Sequence, residues 1–145
     1  FASLKTRRPL KLLGASGQLG YGIPTPAFQA GLERKPDLIG CDMGSIDIGP
    51  YYLGSGNMAT ARESTKRDLR KVLIAARQHD IPLVIGSAGS AGGAPHLEQT
   101  LAIVREIAKE EGLHFRLGVI AGDIPKDIII DAIRAQAAAH REAQC

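Results

Sequence analysis

Residues 81–93 read IPLVIGSAGSAGG, an apolar run that leads directly into a segment of glycine, serine and alanine. The apolar run is too short for a helix and is typical of a buried strand. The segment after it contains no side chain large enough to fill a core. The same succession occurs at residues 10–22, where LKLL precedes GASGQLGYG. Both patterns predict a strand that ends in a glycine-rich loop.

Four apolar runs of this kind occur along the chain, and each is followed by a helical pattern. The predicted strands are Leu10–Leu13, Asp37–Cys41, Ile81–Ile85 and Phe115–Ile120, and the predicted helices are Pro26–Arg34, Thr60–His79, Pro95–Glu111 and Pro125–Arg141. Strands that alternate with helices form a parallel sheet with helices on its faces. We therefore predict an α/β fold: one domain, residues 1–145, with an open, Rossmann-like parallel sheet of about four strands.

The ends of two predicted helices carry sequence signals. Thr60 and Glu63 have the spacing of a capping box, in which each side chain accepts a hydrogen bond from a backbone N–H. Gly112 follows the third predicted helix, where glycine commonly ends a helix. Within that helix Leu97, Leu101, Val104 and Ala108 recur at helical spacing, which predicts its buried face.

Composition limits the classes of function. The chain is 44% hydrophobic and 23% charged, and its net charge of +3 and aromatic content of 4% give little support for nucleic-acid binding. No apolar run approaches the roughly 20 residues of a membrane span. Cys41 and Cys145 are the two cysteines, too few for a disulfide framework, so we expect a cytoplasmic protein.

All four predicted loops follow strands, and the carboxyl ends of parallel strands meet at one edge, where open α/β folds bind ligands. Glycine lets backbone N–H groups approach a ligand, and the helix that follows residue 93 adds a partial positive charge. We therefore expect an anionic small molecule at this edge, or else tight turns with no ligand. The predicted substrate-binding residues are Gly14, Ser16, Gly17, Ser45, Tyr51, Ser87, Gly89, Ser90 and Gly92.

Three residues of the same edge are candidates for catalysis. Asp42 ends the second predicted strand and Asp47 lies five residues later, so the two carboxylates are candidates for proton transfer or for holding a hard metal ion. Asp42 is equally suited to capping loop N–H groups. His96 lies in the first turn of a helix beside the glycine-rich loop, where it is either a general acid or base or an exposed surface residue.

A nucleotide cofactor is an alternative. GASGQLG at residues 14–20 matches the G-x-x-G-x-x-G pattern of extended short-chain dehydrogenases, which predicts an NAD(P)-dependent oxidoreductase. In those folds the helix starts inside the motif, whereas Pro24 and Pro26 move the helix start here beyond it. No Tyr-x-x-x-Lys pair follows. A third hypothesis is a non-catalytic subunit of a larger complex.

Several motifs in their order along the chain resemble a known family. LGASGQLGYGI, DLIGCDMGSIDIGPYYLGSG, IPLVIGSAGSAGG and GVIAGD look like the N-terminal part of the acyclic terpene utilisation family, over about Leu10 to Asp123. The resemblance implies a cytoplasmic catabolic enzyme that acts on an organic acid or its acyl thioester. Members of the family are several hundred residues long, which implies that the remaining part is absent here or is a separate chain.

These observations together favour a small-molecule enzyme domain of the lyase, isomerase or hydrolase type. The cofactor stays open between NAD(P), a divalent metal and none. We expect a homo-oligomer or a complex with a larger chain, because unpaired sheet edges tend to be covered.

Overall fold

The computed structural model describes residues 8–45 and 48–142 and shows a mixed α/β fold. Within these ranges it contains three strands and five helices. The strands are β1 (Leu12–Ser16), β2 (Leu38–Asp42) and β3 (Leu83–Gly86), and the helices are α1 (Thr25–Glu33), α2 (Tyr51–Ser55), α3 (Arg62–Gln78), α4 (Ala94–Glu110) and α5 (Lys126–Glu142).

The strands form one parallel sheet in the order β1-β2-β3, with Leu12 beside Leu38 and Ile39 beside Leu83. Right-handed crossovers between strands in sequential order place the connecting helices on a single face of a sheet. Accordingly, side chains of α1, α3 and α4 share one buried cluster with Ile39 and Cys41 of β2. The opposite face of the sheet is left without a covering helix among the described residues.

The packing of α1 on the sheet depends on a glycine. A Cβ atom on Gly31 would lie 2.5 Å from a methyl group of Leu13 on β1, closer than non-bonded carbon atoms approach, so the leucine side chain would have to move. The glycine thus lets α1 and Leu13 pack closely.

The prediction of a fourth strand over Phe115–Ile120 is wrong. These residues have no strand structure, and the backbone of residues 114–124 makes no hydrogen bond to another backbone group of the described part. Their apolar composition indicated burial, yet Leu117 and Val119 are about half exposed and Ile120 is 93% exposed. A strand needs a neighbour within hydrogen-bonding distance, and this segment lies across a groove from β3.

The predicted capping box is also wrong. Helix α3 starts at Arg62, preceded by Ala61, and no side chain caps it. The hydroxyl of Thr60 instead shares a hydrogen bond of 2.7 Å with the hydroxyl of Thr65. By contrast, the predicted stop at Gly112 is confirmed: its φ is +60°, a conformation that favours glycine.

Helix α4 is rotated relative to the prediction. Its buried side chains are those of His96, Thr100, Ile103, Val104 and Ile107. Leu97 and Leu101, which the spacing placed in the core, are only half-buried and face the groove beside β3. The helix therefore has two apolar sides, one toward the core and one toward this groove. None of the described helices combines the length and the apolar character that crossing a membrane requires.

Candidate functional site

A groove runs along the free edge of β3 and has a volume of about 1190 Å³. It lies between β3, α4 and the extended residues 115–123, and its walls are mainly apolar. The apolar lining includes Leu83, Val84, Leu97, Leu101, Phe115, Leu117 and Val119. Because β3 ends at Gly86, the carboxyl end of the groove is formed by the glycine-rich loop, residues 86–93. The groove therefore joins an apolar channel to a polar loop.

The glycine-rich loop offers free backbone donors to the groove. The N–H groups of Ala88, Ala91 and Gly93 donate to no acceptor among the described residues, while that of Gly92 is held by the carbonyl of Ala88 at 3.0 Å. The three free N–H groups are not consecutive, but they lie in one compact turn and are donors available to an anion or a polarised carbonyl oxygen.

The loop keeps this shape at a conformational cost. Ser87, Gly89, Ser90 and Gly92 all have φ between +49° and +87°. Two of them are serines, for which this conformation is unfavourable, and such strain concentrates at functional sites. The N–H of Ser90 donates to the carbonyl of Ser87 at 2.9 Å and closes the turn.

His96 lies directly behind this loop and is fully buried, so the hypothesis of an exposed surface histidine is wrong. Its Nε2 lies 2.8 Å from the carbonyl oxygen of Tyr52. A carbonyl oxygen can only accept, so Nε2 carries the proton and Nδ1 of the neutral ring keeps a lone pair. Nδ1 has no hydrogen-bond partner among the described residues.

Gly93 borders both Nδ1 of His96 and the groove. A Cβ atom on Gly93 would lie 3.3 Å from Nδ1, and Gly93 lines the groove, whereas His96 itself is fully buried and does not line it. A buried nitrogen without a partner is costly unless a ligand or water completes it. A role of His96 as a base therefore requires the groove to open at Gly93.

Two other buried polar atoms of the same edge lack a partner among the described residues: Oγ of Ser90 and Nε2 of Gln18. Ser90 belongs to the glycine-rich loop and Gln18 to the loop after β1. Buried polar atoms without a partner are uncommon in native proteins. Their occurrence in two loops of one sheet edge marks this edge rather than the opposite one.

Asp123 restricts where an anion can bind. Its carboxylate accepts a hydrogen bond from the N–H of Ala94 at 3.3 Å and so lies at the N-terminus of α4. The negative charge of Asp123 repels an anion at that point. The amides of Ala88 and Ala91 are therefore a better location for an anionic group than the helix terminus, which differs from the sequence expectation.

Asp42 acts as a loop cap in the structure. It is exposed at the end of β2, and its Oδ1 accepts a hydrogen bond from the N–H of Gly44 at 2.9 Å. Gly44 in turn lies against Ser87, where an added Cβ would be only 2.6 Å from the serine Cβ. Asp42 is thus close to the glycine-rich loop. Asp47, its predicted partner, lies outside the described residues.

The first glycine-rich loop, residues 17–22, is bound by a carboxylate of the protein itself. Oδ2 of Asp68 on α3 accepts hydrogen bonds from the N–H groups of Gly20 and Gly22, both at 2.8 Å. Asp68 is 1% exposed. Burial alone raises its pKa, but the hydrogen bonds from Arg67 and from the two glycines outweigh burial and leave the pKa lowered. These two amides are not available to a ligand.

Sequence reasoning missed Asp68, although a signal existed. It lies one turn before Val72 on the apolar face of α3. A carboxylate in such a position must find donors within the protein.

The remaining predicted binding residues are spread over this part of the fold. Gly14 lies within β1 on the uncovered face of the sheet, rather than in a loop. Ser16 accepts a hydrogen bond from the N–H of Gln18 at 3.0 Å, and Gly17 is exposed with open space around it. Ser45 is half-buried. Tyr51 is exposed and packs edge-on against Tyr52 with ring centroids 5.2 Å apart.

Gly89 has a packing role in the structure. A Cβ atom there would lie 2.7 Å from Cβ of His96, so Gly89 allows the loop to pack on α4. Ser87 and Gly92 do line the groove. No group of three or more histidine, cysteine, aspartate or glutamate side chains suited to a metal ion occurs within residues 8–45 and 48–136.

Comparison with known proteins gives no relative: no family model, no curated protein and no solved structure matches this chain.

Proposed function

We propose that this chain is a small-molecule enzyme domain that acts on an organic acid or its acyl thioester. The observation that carries the proposal is the groove beside β3, which is apolar along its length and ends at free backbone N–H groups. An apolar acyl chain fits the walls formed by α4 and residues 115–120. Its carboxylate or thioester carbonyl fits the amides of Ala88 and Ala91.

The proposed chemistry is removal of a proton next to the carbonyl or carboxylate group. Nδ1 of His96 is the base, because the N–H of Nε2 donates a hydrogen bond to the backbone carbonyl of Tyr52 and the lone pair is therefore on Nδ1. The amides of the glycine-rich loop stabilise the negative charge that develops on the substrate oxygen. This arrangement favours a lyase or an isomerase over a serine hydrolase, because Oγ of Ser90 in the glycine-rich loop has no base as a hydrogen-bond partner among the described residues.

The wider setting belongs to the same proposal. The order of the loops supports membership of the acyclic terpene utilisation family, and the free, buried thiol of Cys41 fits a cytoplasmic location. Burial raises the pKa of that thiol to about 11, so Cys41 is an unreactive core residue. The oxidoreductase alternative is weakened, because the amides of Gly20 and Gly22 in its proposed pyrophosphate loop are bound to Asp68.

The proposal is tested by displacement of a fluorescent fatty acid with octanoate and with octanoyl-coenzyme A. Leu101→Glu introduces a charge into the groove wall and should weaken binding about 10-fold or more. Ala102→Glu is the matched control, because Ala102 is the exposed neighbour on the same helix. Its affinity should equal that of the wild type.

The outcomes separate the hypotheses. Saturable binding that Leu101→Glu weakens, together with turnover of either ligand, supports the enzyme. The same binding without turnover favours a non-catalytic subunit that keeps the site. The absence of saturable binding to the wild-type protein would overturn the acid-binding groove itself.

A further inference from the structure

One face of the sheet is apolar and uncovered. Parallel sheets carry helices on both faces almost without exception, yet α1, α3 and α4 all pack on one side. The residues that point to the other side are Leu12, Gly14, Leu38, Gly40 and Val84. Leu12 is 68% exposed and Val84 is 56% exposed. We call this surface the open sheet face.

Helix α5 is the second unpartnered element. None of its side chains is buried within residues 126–136. Ile129 and Ile133 lie one turn apart and are about half exposed, and Ile128 lies beside them. Asp127, Asp131 and Arg134 occupy the opposite side, so the helix is amphipathic. An isolated helix of this length is marginally stable in water, and packing of its apolar side is what normally stabilises it.

We propose that two copies of this chain associate by exchange, with α5 of each copy covering the open sheet face of the other. The two surfaces match in chemistry, since isoleucine and alanine side chains meet leucine, valine and glycine. They also match in shape. Gly14 and Gly40 are neighbours at the centre of the face, and nothing lies within 4 Å of the position of either missing side chain. A helix backbone therefore has room to approach the sheet closely.

The size of the surfaces favours a second copy over an unrelated partner. Three strands of four or five residues span roughly 14 by 17 Å, and α5 with its 17 residues is about 25 Å long. One such contact alone falls well short of the roughly 800 Å² that each partner buries in a standard interface. Reciprocal exchange uses a helix face and a sheet face of every copy and doubles the area buried per copy. Two-fold exchange of identical elements is also a common route to dimers.

Sedimentation of two variants and their mixture tests the exchange. Leu12→Glu places a charge on the open sheet face, and Ile133→Glu places one on the apolar side of α5. Both positions are exposed in the single chain, so each variant should keep its fold, which circular dichroism verifies. Each should raise the dimer dissociation constant about 10-fold or more. Ile120→Glu is the control, since Ile120 is exposed but lies on neither surface.

The mixture of the two variants gives the sharper result. In a mixed dimer one contact joins an intact α5 to an intact open sheet face, and the other contact carries both glutamates. The mixed sample should therefore contain more dimer than either variant alone and less than the wild type. A dimer joined helix to helix or sheet to sheet shows no such recovery and would overturn the proposal. A wild-type protein that stays monomeric at 100 µM, roughly the upper end of ordinary assays, would overturn it as well. Val84 borders both the groove and the open sheet face, but neither variant alters Val84, His96 or the glycine-rich loop.

Discussion

Both glycine-rich loops are half glycine, but they differ in whether the protein itself binds their N–H groups. In residues 17–22 the N–H groups of Gly20 and Gly22 are held by the buried carboxylate of Asp68. In residues 86–93 the N–H groups of Ala88, Ala91 and Gly93 have no acceptor among the described residues. The first loop is thus stabilised by the protein, whereas the second has donors left for a ligand.

The difference teaches that glycine content alone does not identify a binding loop. What matters is whether the protein supplies its own acceptor for the exposed N–H groups. A loop whose donors are already satisfied is structural, and a loop whose donors remain free next to a groove is a candidate site.

The largest effect is expected from removing the acceptor of the first loop. Asp68→Ala leaves two N–H groups and Arg67 without their partner, and should lower the free energy of unfolding by about 3–5 kcal/mol. Urea denaturation measures it. Asp80→Ala is the control, because Asp80 pairs with Arg77 at the surface and its side chain is 90% exposed. Equal stability of the two variants would mean that the first loop needs no anchor.

Valine substitutions distinguish the two loops next. Gly89→Val places a side chain against His96 at φ of +63° and should destabilise the protein by about 2–4 kcal/mol. Gly17→Val enters open space in the first loop at an ordinary φ and should cost less than about 0.5 kcal/mol. Thermal melts of both variants provide the measurement. The reverse order of stability would contradict the described packing of α4 on residues 86–93.

Acid should weaken the contact between α3, which holds the first loop through Asp68, and α4, which follows the second loop. Hydrogen bonds from Lys66 and Arg62 on α3 lower the pKa of Glu106 on α4 to about 2. A carboxylate whose pKa is lowered on folding stabilises the protein above its ordinary pKa, and this contribution is lost as the pH falls toward 2. Glu106→Gln should therefore lower Tm at pH 7 and less so at pH 2.5.

The control for this pH dependence is Glu63→Gln. Glu63 pairs with the same Arg62, but its side chain is 82% exposed and the contact is long at 3.5 Å. Surface pairs of this kind contribute little, so its Tm should stay close to that of the wild type at both pH values. A Glu106→Gln protein that melts like Glu63→Gln would show that the helices are not joined through this pair.

The smallest change in stability, with a large change in function, is expected from Gly93→Ala. The backbone at Gly93 has φ of −72°, which any residue adopts, so the free energy of unfolding should shift by a few tenths of a kcal/mol. The added methyl group lies 3.3 Å from Nδ1 of His96 and blocks any opening of the groove toward that atom at residue 93. Turnover should fall about 10-fold or more, while Gly54→Ala, where nothing lies nearby, should leave it unchanged. Wild-type turnover in Gly93→Ala would exclude His96 as the base.

Much of the fold could be predicted from the sequence, because local patterns determine it. The three strands of the sheet and α5 lie within about three residues of their predicted bounds, and Gly112 ends α4 as its position indicated. The segment Phe115–Ile120 failed because apolar composition reports a tendency to be buried and carries no information on which edge a strand pairs with. The rotation of α4 was missed because both of its sides are apolar.

The site could be predicted only as a region. The carboxyl edge of the sheet is the predicted region, because the topology places the loops there, and His96 stays a prediction. The contrast between the loops could not be predicted from the sequence. Asp68 is 48 residues away from Gly20 in the chain, and only the folded structure brings them together. The burial of His96 could not be predicted for the same reason. Its partner is the backbone carbonyl of Tyr52, and every residue type has a backbone carbonyl, so the sequence does not identify it.

The most direct test of the contrast between the loops is an NMR titration of the 15N-labelled protein with octanoate. We predict saturable shifts of the amide signals of Ala88, Ala91 and Gly93, at one common dissociation constant. The amide signals of Gly20 and Gly22 should stay in place, because both N–H groups remain bound to Asp68. Shifts confined to Gly20 and Gly22, or no saturable shift in residues 86–93, would contradict the account.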